Sequence, residues 1–250
     1  MSTRVKRSKR ELIKLKAVPI VPTILLDKYC PGEMQLCYAS VAREDGKYLE
    51  FYAARARAGD AVILDHSPKV PRAPVDPDLL VEMIGRVSPS LVVLPNMDLT
   101  PERTVAMSEA FITEHAELVG EVEFVGMLQG YDMKSLAWCY SRLAGMCECL
   151  GLPASMEKVG MRHAIIRELN ITKKAMYFEV YDDPTAEIPW DTNVVGVATS
   201  WPIRLGLDLR PIDQYRPTPK PLNFATRGLT EEQVKFTDWN IKEYARRVES

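Results

Sequence analysis

The sequence predicts an α/β fold, a single (β/α)8 TIM barrel in which some helices are short or missing, and three observations carry that prediction. Short apolar runs alternate with longer amphipathic segments, the pattern of parallel strands joined by helical crossovers. About eight such runs can be counted, where a doubly wound sheet of five or six strands would leave two unexplained. The chain has 250 residues, a length that suits one such barrel.

In chain order, strands are expected at Val18–Leu25, Ala61–Asp65, Leu91–Pro95, Phe124–Gln129, Met156–Gly160, Met176–Val180, Val194–Ala198 and Leu209–Asp213. Helices are expected between them at Lys47–Gly59, Asp78–Val87, Thr100–Leu118, Met133–Leu150 and His163–Asn170. Thr100, Pro101 and Glu102 supply an N-cap, an N1 proline and an early acid in the right order. Leu229–Val248 reads as a closing helix, with Thr230 as its cap and Glu231 and Glu232 in its first turn. The helices around 181–192 and 201–208 read as short or missing. No internal repeat is present, and the stretch Pro211–Pro221 is rich in proline.

With 46% hydrophobic and 26% charged residues, the chain describes one soluble globular domain. No stretch approaches the roughly 18 uninterrupted apolar residues of a membrane span. The apolar run after the basic N-terminus is broken by Pro19 and Pro22, so no signal peptide is read and a cytoplasmic location is expected. Five cysteines, an odd number scattered along the chain, argue for reduced thiols. Cys147 and Cys149 form the only close pair. They lack a second pair and a nearby histidine, so a structural role is favoured over zinc, and no metal is expected. No glycine-rich nucleotide-cofactor signature follows any strand.

The formal net charge is −2, and it conceals a split. Residues 1–16 hold seven basic residues and one acid, +6, which leaves −8 on the remaining 234. The chain accordingly divides into a basic N-terminal arm at 1–16 and a barrel with its closing helix at 17–250.

In a barrel of this kind the chemistry sits at the C-terminal ends of the strands. Reading those ends gives Asp65 followed by His66, Asn96 to Asp98, Gln129 followed by Gly130, Gly196 to Ala198, and Asp213. A carboxylate at the end of an apolar strand must be paired, hydrogen-bonded or functional. For any single one, capping the next helix or turn is an adequate explanation. Three carboxylates and an amide on one face instead suit displacement at an anomeric carbon, and an Asp with a Gln suits reading a purine edge. The residues leave a nucleoside and a glycoside both open.

Five segments in this order resemble the tRNA-guanine transglycosylase superfamily, and within it the shorter 7-deazaguanine DNA transglycosylases of bacteriophages and bacterial genomic islands. They are Ala61–Asp65, Val92–Asp98, Val125–Gly130, Val194–Val197 and Arg210–Asp213, and the likeness runs from about Leu25 to Phe224. The resemblance implies Asp213 as the nucleophile that attacks the sugar C1′ and expels guanine. It implies Asp65 as general acid/base, and Asp98, Gln129 and Gly130 as residues that recognise the heterocycle, with Gly196 near the sugar. It implies a free 7-deazaguanine base, such as 7-cyano-7-deazaguanine, as co-substrate, and no metal or redox cofactor. The chain departs from the family where His66 stands in place of Ser or Asn and where Tyr131 replaces a second glycine. It also carries no Cys-x-Cys-x-x-Cys zinc motif after Cys149, which favours the DNA-modifying branch over the tRNA branch.

A polynucleotide substrate must present its guanine out of the stack, so the protein needs phosphate contacts. Arg4, Lys6, Arg7, Lys9 and Arg10 on the arm are candidates, with Lys69 and Arg72 after Asp65 and with Arg210, Arg216, Lys220 and Arg227 around Asp213. A solvated tail is the plain alternative for the arm. Trp190, Trp201 and Tyr215 are candidate stacking residues, though a tryptophan is commonly core. His66 is a candidate to tune Asp65 through a hydrogen bond, or a passive neighbour. The expected activity is thus replacement of guanine in DNA. The alternatives are the same exchange in tRNA, a non-catalytic nucleic-acid-binding homologue, and an unrelated barrel glycoside hydrolase.

Overall fold

The computed structural model describes residues 15–29, 33–67, 76–119, 121–178, 193–213, 222, 224 and 228–249. Eight strands are present among them: β1 Lys16–Pro19, β2 Met34–Tyr38, β3 Ala61–Asp65, β4 Leu91–Val93, β5 Glu123–Met127, β6 Cys149–Pro153, β7 Lys174–Phe178 and β8 Val194–Thr199. Every ladder is parallel, in the order β1-β8-β7-β6-β5-β4-β3-β2. The two ends of that series, β1 and β2, lie against each other without a ladder, so the sheet curls into a nearly closed (β/α)8 barrel.

The helices of the described residues are α1 Leu26–Tyr29, α2 Ala39–Glu44, α3 Gly46–Arg57, α4 Pro77–Val87, α5 Pro101–Glu114, α6 Met133–Leu143, α7 Arg162–Glu168, α8 Trp201–Leu207 and α9 Glu231–Glu249. Local chemistry starts several of them. The Asp45 carboxylate accepts from the Lys47 and Tyr48 amides at the head of α3, and Asp76 does the same for Asp78 with Pro77 at N1 of α4. Asp132 and Ser135 form a capping box on α6. Thr230 and Gln233 exchange reciprocal hydrogen bonds at the head of α9. Thr100 does not cap α5 through its side chain; its hydroxyl donates to the Asp98 carbonyl instead.

Alternate strand residues divide into two cores. Val18, Leu36, Ile63, Val93, Val125, Met127, Met176 and Phe178 fill the barrel interior. Their neighbours, such as Val62, Leu64, Val92 and Val197, pack outward beneath the helices.

Two expected strands are not strands, and two strands went unanticipated. Met156–Gly160 falls on a 3₁₀ turn at Ala154–Lys158. The neighbouring strand is β6, whose apolar residues continue directly from the α6 segment and so read as the end of an overlong helix. Gly151 in the middle of β6 is closely packed: a Cβ there would lie 2.1 Å from Met127 Sδ and 3.1 Å from the Phe178 ring, so the Met127 side chain would have to move. β2 was hidden by Gln35, a polar residue in an apolar run, which is buried with its Nε2 3.3 Å from Asp60 Oδ2.

Leu209–Asp213 is a turn: Leu209 has φ +55°, and the Ile212 amide donates to Asn240 Oδ1 on α9 rather than to a strand. The place it was expected to fill belongs to β8, which pairs with both β7 and β1. Of the first expected strand only Val18 and Pro19 are in β1, which starts earlier at Lys16, and after Pro22 the chain turns into a 3₁₀ segment at Thr23–Leu25. The 201–208 segment forms a seven-residue helix, and 181–192 lies outside the described residues.

α9 closes the structure as expected. Its Tyr244 hydroxyl donates to the Val197 carbonyl, its Gln233 Nε2 donates to the Leu207 carbonyl at 2.8 Å, and its Glu249 accepts from the Ala17 amide at 3.2 Å. Gly206 is the point of closest approach, where a Cβ would stand 2.4 Å from Thr237 Cα and 2.6 Å from Thr237 N. Backbone cannot swing aside as a side chain can. Gly206→Ala is therefore expected to cost about 1–3 kcal/mol by forcing α8 and α9 apart, read as a lower urea midpoint at unchanged slope.

Candidate active site at the barrel mouth

β3 delivers Asp65 to the C-terminal end of the barrel. Asp65 shares the inward face of Ile63, and its register partner on β2 is Tyr38. Its side chain is 16% exposed and, among the described residues, accepts one hydrogen bond, from the His66 amide to Oδ1 at 2.7 Å. Burial pushes its carboxyl up to about 7, and the His66 N–H only partly offsets this. His66 is 5% exposed. Its Nε2 lies 3.0 Å from the Val93 carbonyl, and its Nδ1 lies 3.4 Å from Asp65 Oδ1. Burial holds the imidazole down at about 4, so the ring is neutral at physiological pH.

The next two strand ends form one polar network. Gln129, buried after β5, accepts from the Leu99 amide through Oε1 at 3.0 Å and donates through Nε2 to Asn96 Oδ1 at 3.4 Å. Asn96 in turn donates to the Leu94 carbonyl at 3.1 Å. Leu99 has φ +53°, a strained conformation for a leucine, and the Gln129 hydrogen bond helps to hold it there. The first turns of α5 brace the same loop: Thr104 Oγ1 accepts from the Met97 amide at 3.0 Å, and Ser108 Oγ donates to the Pro95 carbonyl at 3.1 Å. The held loop presents Asp98, half-buried, whose carboxylate makes no hydrogen bond to another described residue.

Asp65, Asp98 and Gln129 thus follow three neighbouring strands, β3, β4 and β5, with Gln129 tied to the Asp98 loop through the Leu99 amide. Gly130 stands beside them, but its close approach is to α6, since a Cβ would lie 2.8 Å from the Leu136 side chain and 2.9 Å from its amide. Gly196 lies inside the barrel below the mouth, where a Cβ would meet Met176 Cε at 2.9 Å and Met34 Sδ at 3.1 Å. Asp213 is not at a strand end. It is exposed on the turn after α8, which Asn240 clamps by accepting from the Ile212 amide and donating to the Arg210 carbonyl, both at 2.9 Å. Among the described residues no hydrogen bond or ion pair joins Asp213 to the other three.

Arg210 is exposed on the same turn. Trp201 is 2% exposed in the layer between barrel and helices, so it is a core residue rather than a stacking platform. Arg4, Lys6, Arg7, Lys9, Arg10, Lys69, Arg72, Arg216, Lys220 and Arg227 lie outside the described residues, as do Trp190 and Tyr215.

Cys147 and Cys149 are buried thiols, pushed up to about 11 and about 12 by burial. Among the described residues no group of three or more His, Cys, Asp and Glu side chains is placed to hold a metal ion, and no helix is long and apolar enough to cross a membrane.

Sequence reasoning gave no role to three residues that the structure sets apart. Asn96 was visible only as a strand-end amide, and its link to Gln129 is long-range. Arg162 is fully buried across the ends of β6 and β7, donating to the Leu152 and Phe178 carbonyls at 3.4 and 3.2 Å and stacking 4.6 Å over the Tyr177 ring. Trp239, 45% exposed, lines a shallow apolar cleft with Phe236, Lys235 and Pro211, two residues from Asp213.

Eight parallel strands with polar groups gathered at their C-terminal ends place the chain in the (β/α)8 barrel class. Among solved structures, a KGPDC from Streptococcus mutans is similar with a TM-score of 0.52 at 9% identity, covering 96% of this chain and 100% of that one. A racemase from Streptomyces coelicolor A3(2) with bound magnesium gives 0.46 at 11% identity, over 75% of this chain and 58% of that one. At 9% identity the likeness to the first of these is one of fold, and function has to be argued from the site. No protein-family model and no curated protein matches the chain.

Proposed function

We propose that the chain is a base-exchange transglycosylase that replaces guanine in DNA with a 7-deazaguanine base such as 7-cyano-7-deazaguanine. The observation that carries this reading is the place of Asp65: a carboxyl at the mouth end of β3, pushed up to about 7 by burial, with the half-buried Asp98 following the neighbouring strand. A group titrating near working pH serves as an acid in one half-reaction and a base in the other.

In the first half, the Asp213 carboxylate attacks C1′ and the C1′–N9 bond breaks, leaving a sugar ester on Asp213. Asp65 gives its proton to the departing guanine. In the second half, N9 of the incoming base attacks C1′, the ester bond breaks, and the N9 proton passes to Asp65. Two displacements give net retention and restore both carboxyl groups, without a redox partner. Asp98 accepts from the N–H and amino edge of the base, while Gln129 acts largely by shaping the loop that carries Asp98. The role given to Asp213 rests on the family resemblance, and the nearby Trp239 offers a face for a neighbouring base. The basic arm supplies phosphate contacts, and the setting is the cytoplasm.

The test is incubation with labelled 7-cyano-7-deazaguanine and either double-stranded DNA, single-stranded DNA or tRNA, followed by nucleoside analysis. Label in deoxynucleosides is the expected result. Label confined to tRNA transfers the same mechanism to the tRNA branch, and label in none of them, with salt-dependent DNA binding retained, leaves a binding protein.

A further inference from the structure

The proton on Asp65 has a partner that the proposed chemistry does not use. His66 Nε2 lies 3.0 Å from the Val93 carbonyl, and a carbonyl can only accept, so the single proton of the neutral ring sits on Nε2. Nδ1 then bears a lone pair, and Asp65 Oδ1 lies 3.4 Å from it. Two acceptors opposed in a buried site repel each other unless one of them carries a proton. We propose that His66 is a positioning residue that keeps Asp65 in its protonated form, by offering the Nδ1 lone pair as acceptor for the carboxyl proton.

The surroundings leave few other sources for that effect. On the β2 side the titratable neighbour is Tyr38, the register partner of Asp65. On the β4 side stand the Val93 and Leu94 carbonyls, and the Asn96 amide is spent on Leu94. Among the described residues no lysine, arginine or second acid acts on Asp65. Burial disfavours the charged forms of both groups, raising the acid and lowering the base, so the pair rests as neutral carboxyl and neutral imidazole rather than as an ion pair. At 3.4 Å the contact is longer than an ordinary hydrogen bond, so the proposed bond requires the two side chains to close by a few tenths of an ångström.

The consequence for base exchange rests on the function proposed above; the proton arrangement does not, and the experiment separates them. Carbon-13 NMR of the Asp65 carboxyl and nitrogen-15 NMR of the His66 ring need no nucleic acid. In the wild-type protein the ring is expected as the Nε2–H tautomer, neutral from pH 5.5 to 8, while Asp65 titrates near 7. His66→Leu removes the acceptor and is expected to lower the Asp65 midpoint by about one unit, the size of one buried hydrogen bond. His66→Asn returns an oxygen acceptor close to Cβ and is expected to bring the midpoint most of the way back.

An Nδ1–H tautomer in the wild-type protein overturns the proposal, and that measurement needs no variant to fold. A midpoint that stays put in His66→Leu overturns it too. If base exchange is observed, the alkaline limb of its pH profile shifts with the Asp65 midpoint in each variant. If exchange is absent, the titrations still decide the proton arrangement.

Discussion

Asp213→Ala is expected to abolish base exchange, by at least about 10⁴-fold, because it removes the atom that bonds to the sugar rather than one that assists. The same change is expected to leave stability within about 0.5 kcal/mol, since the side chain is exposed and the turn beneath it is held by backbone hydrogen bonds to Asn240. Two measurements check this together. Nucleosides from DNA of cells expressing either form, given a deazaguanine supply, report exchange, and a protein–DNA band that survives denaturation reports the ester. Exchange retained by Asp213→Ala would falsify the nucleophile assignment. Loss of both the band and exchange, with the unfolding midpoint unchanged, is the expected pattern.

Asp65→Asn is expected to lose activity and gain stability at alkaline pH. A carboxyl near 7 in the folded protein and near 4 in the unfolded chain contributes its stability below about pH 4 and loses it as pH rises through 7. At pH 8 the folded protein therefore carries a buried carboxylate at a cost of about 4 kcal/mol. Asparagine has no proton to lose, and its amide N–H meets the His66 Nδ1 lone pair as the protonated acid would.

His66 works in the opposite direction, its folded value lying below its unfolded one, so its contribution is present above about 6.5 and is lost as pH falls toward 4. In the wild-type protein the two slopes oppose each other between about pH 4 and 6.5. In Asp65→Asn the His66 slope stands alone, and stability climbs with pH across that range. Urea titrations at pH 4.5 and 8 should show an advantage for the variant that is small at the first and about 4 kcal/mol at the second. Equal midpoints at pH 8 would mean that Asp65 is not held protonated. Exchange should fall by about 10²–10⁴-fold with the loss of acid–base assistance.

The sites on β3, β4 and β5 were legible because each pairs an apolar run with a polar residue that has no reason to be there except capping or chemistry. AVILD ends in Asp65, and VGMLQG sets Gln129 just past a strand. The same rule misled at Leu209–Asp213, where an apolar run ending in Asp is a turn pinned to α9. It also missed β2 and β6. A strand in a parallel barrel is buried on both faces, so its sequence shows no alternation that separates it from a buried helix or turn. Gln35 and Gly151 then look like interruptions until Asp60, Met127 and Phe178 are placed around them.

By itself the sequence determined the class of fold, the positions of the main helices through their caps and periodicity, and the short set of carboxylates and amides available to a site at the mouth. These follow from local chemistry, which needs only near neighbours along the chain. The tertiary structure alone decided which apolar run fills which place in the barrel, and that Gly130 and Gly196 answer to packing partners within the fold. It also decided the protonation of Asp65. Proton affinity depends on the water that is excluded and on where the hydrogen bonds go, and the atom that fixes the His66 ring is a carbonyl 27 residues farther along the chain.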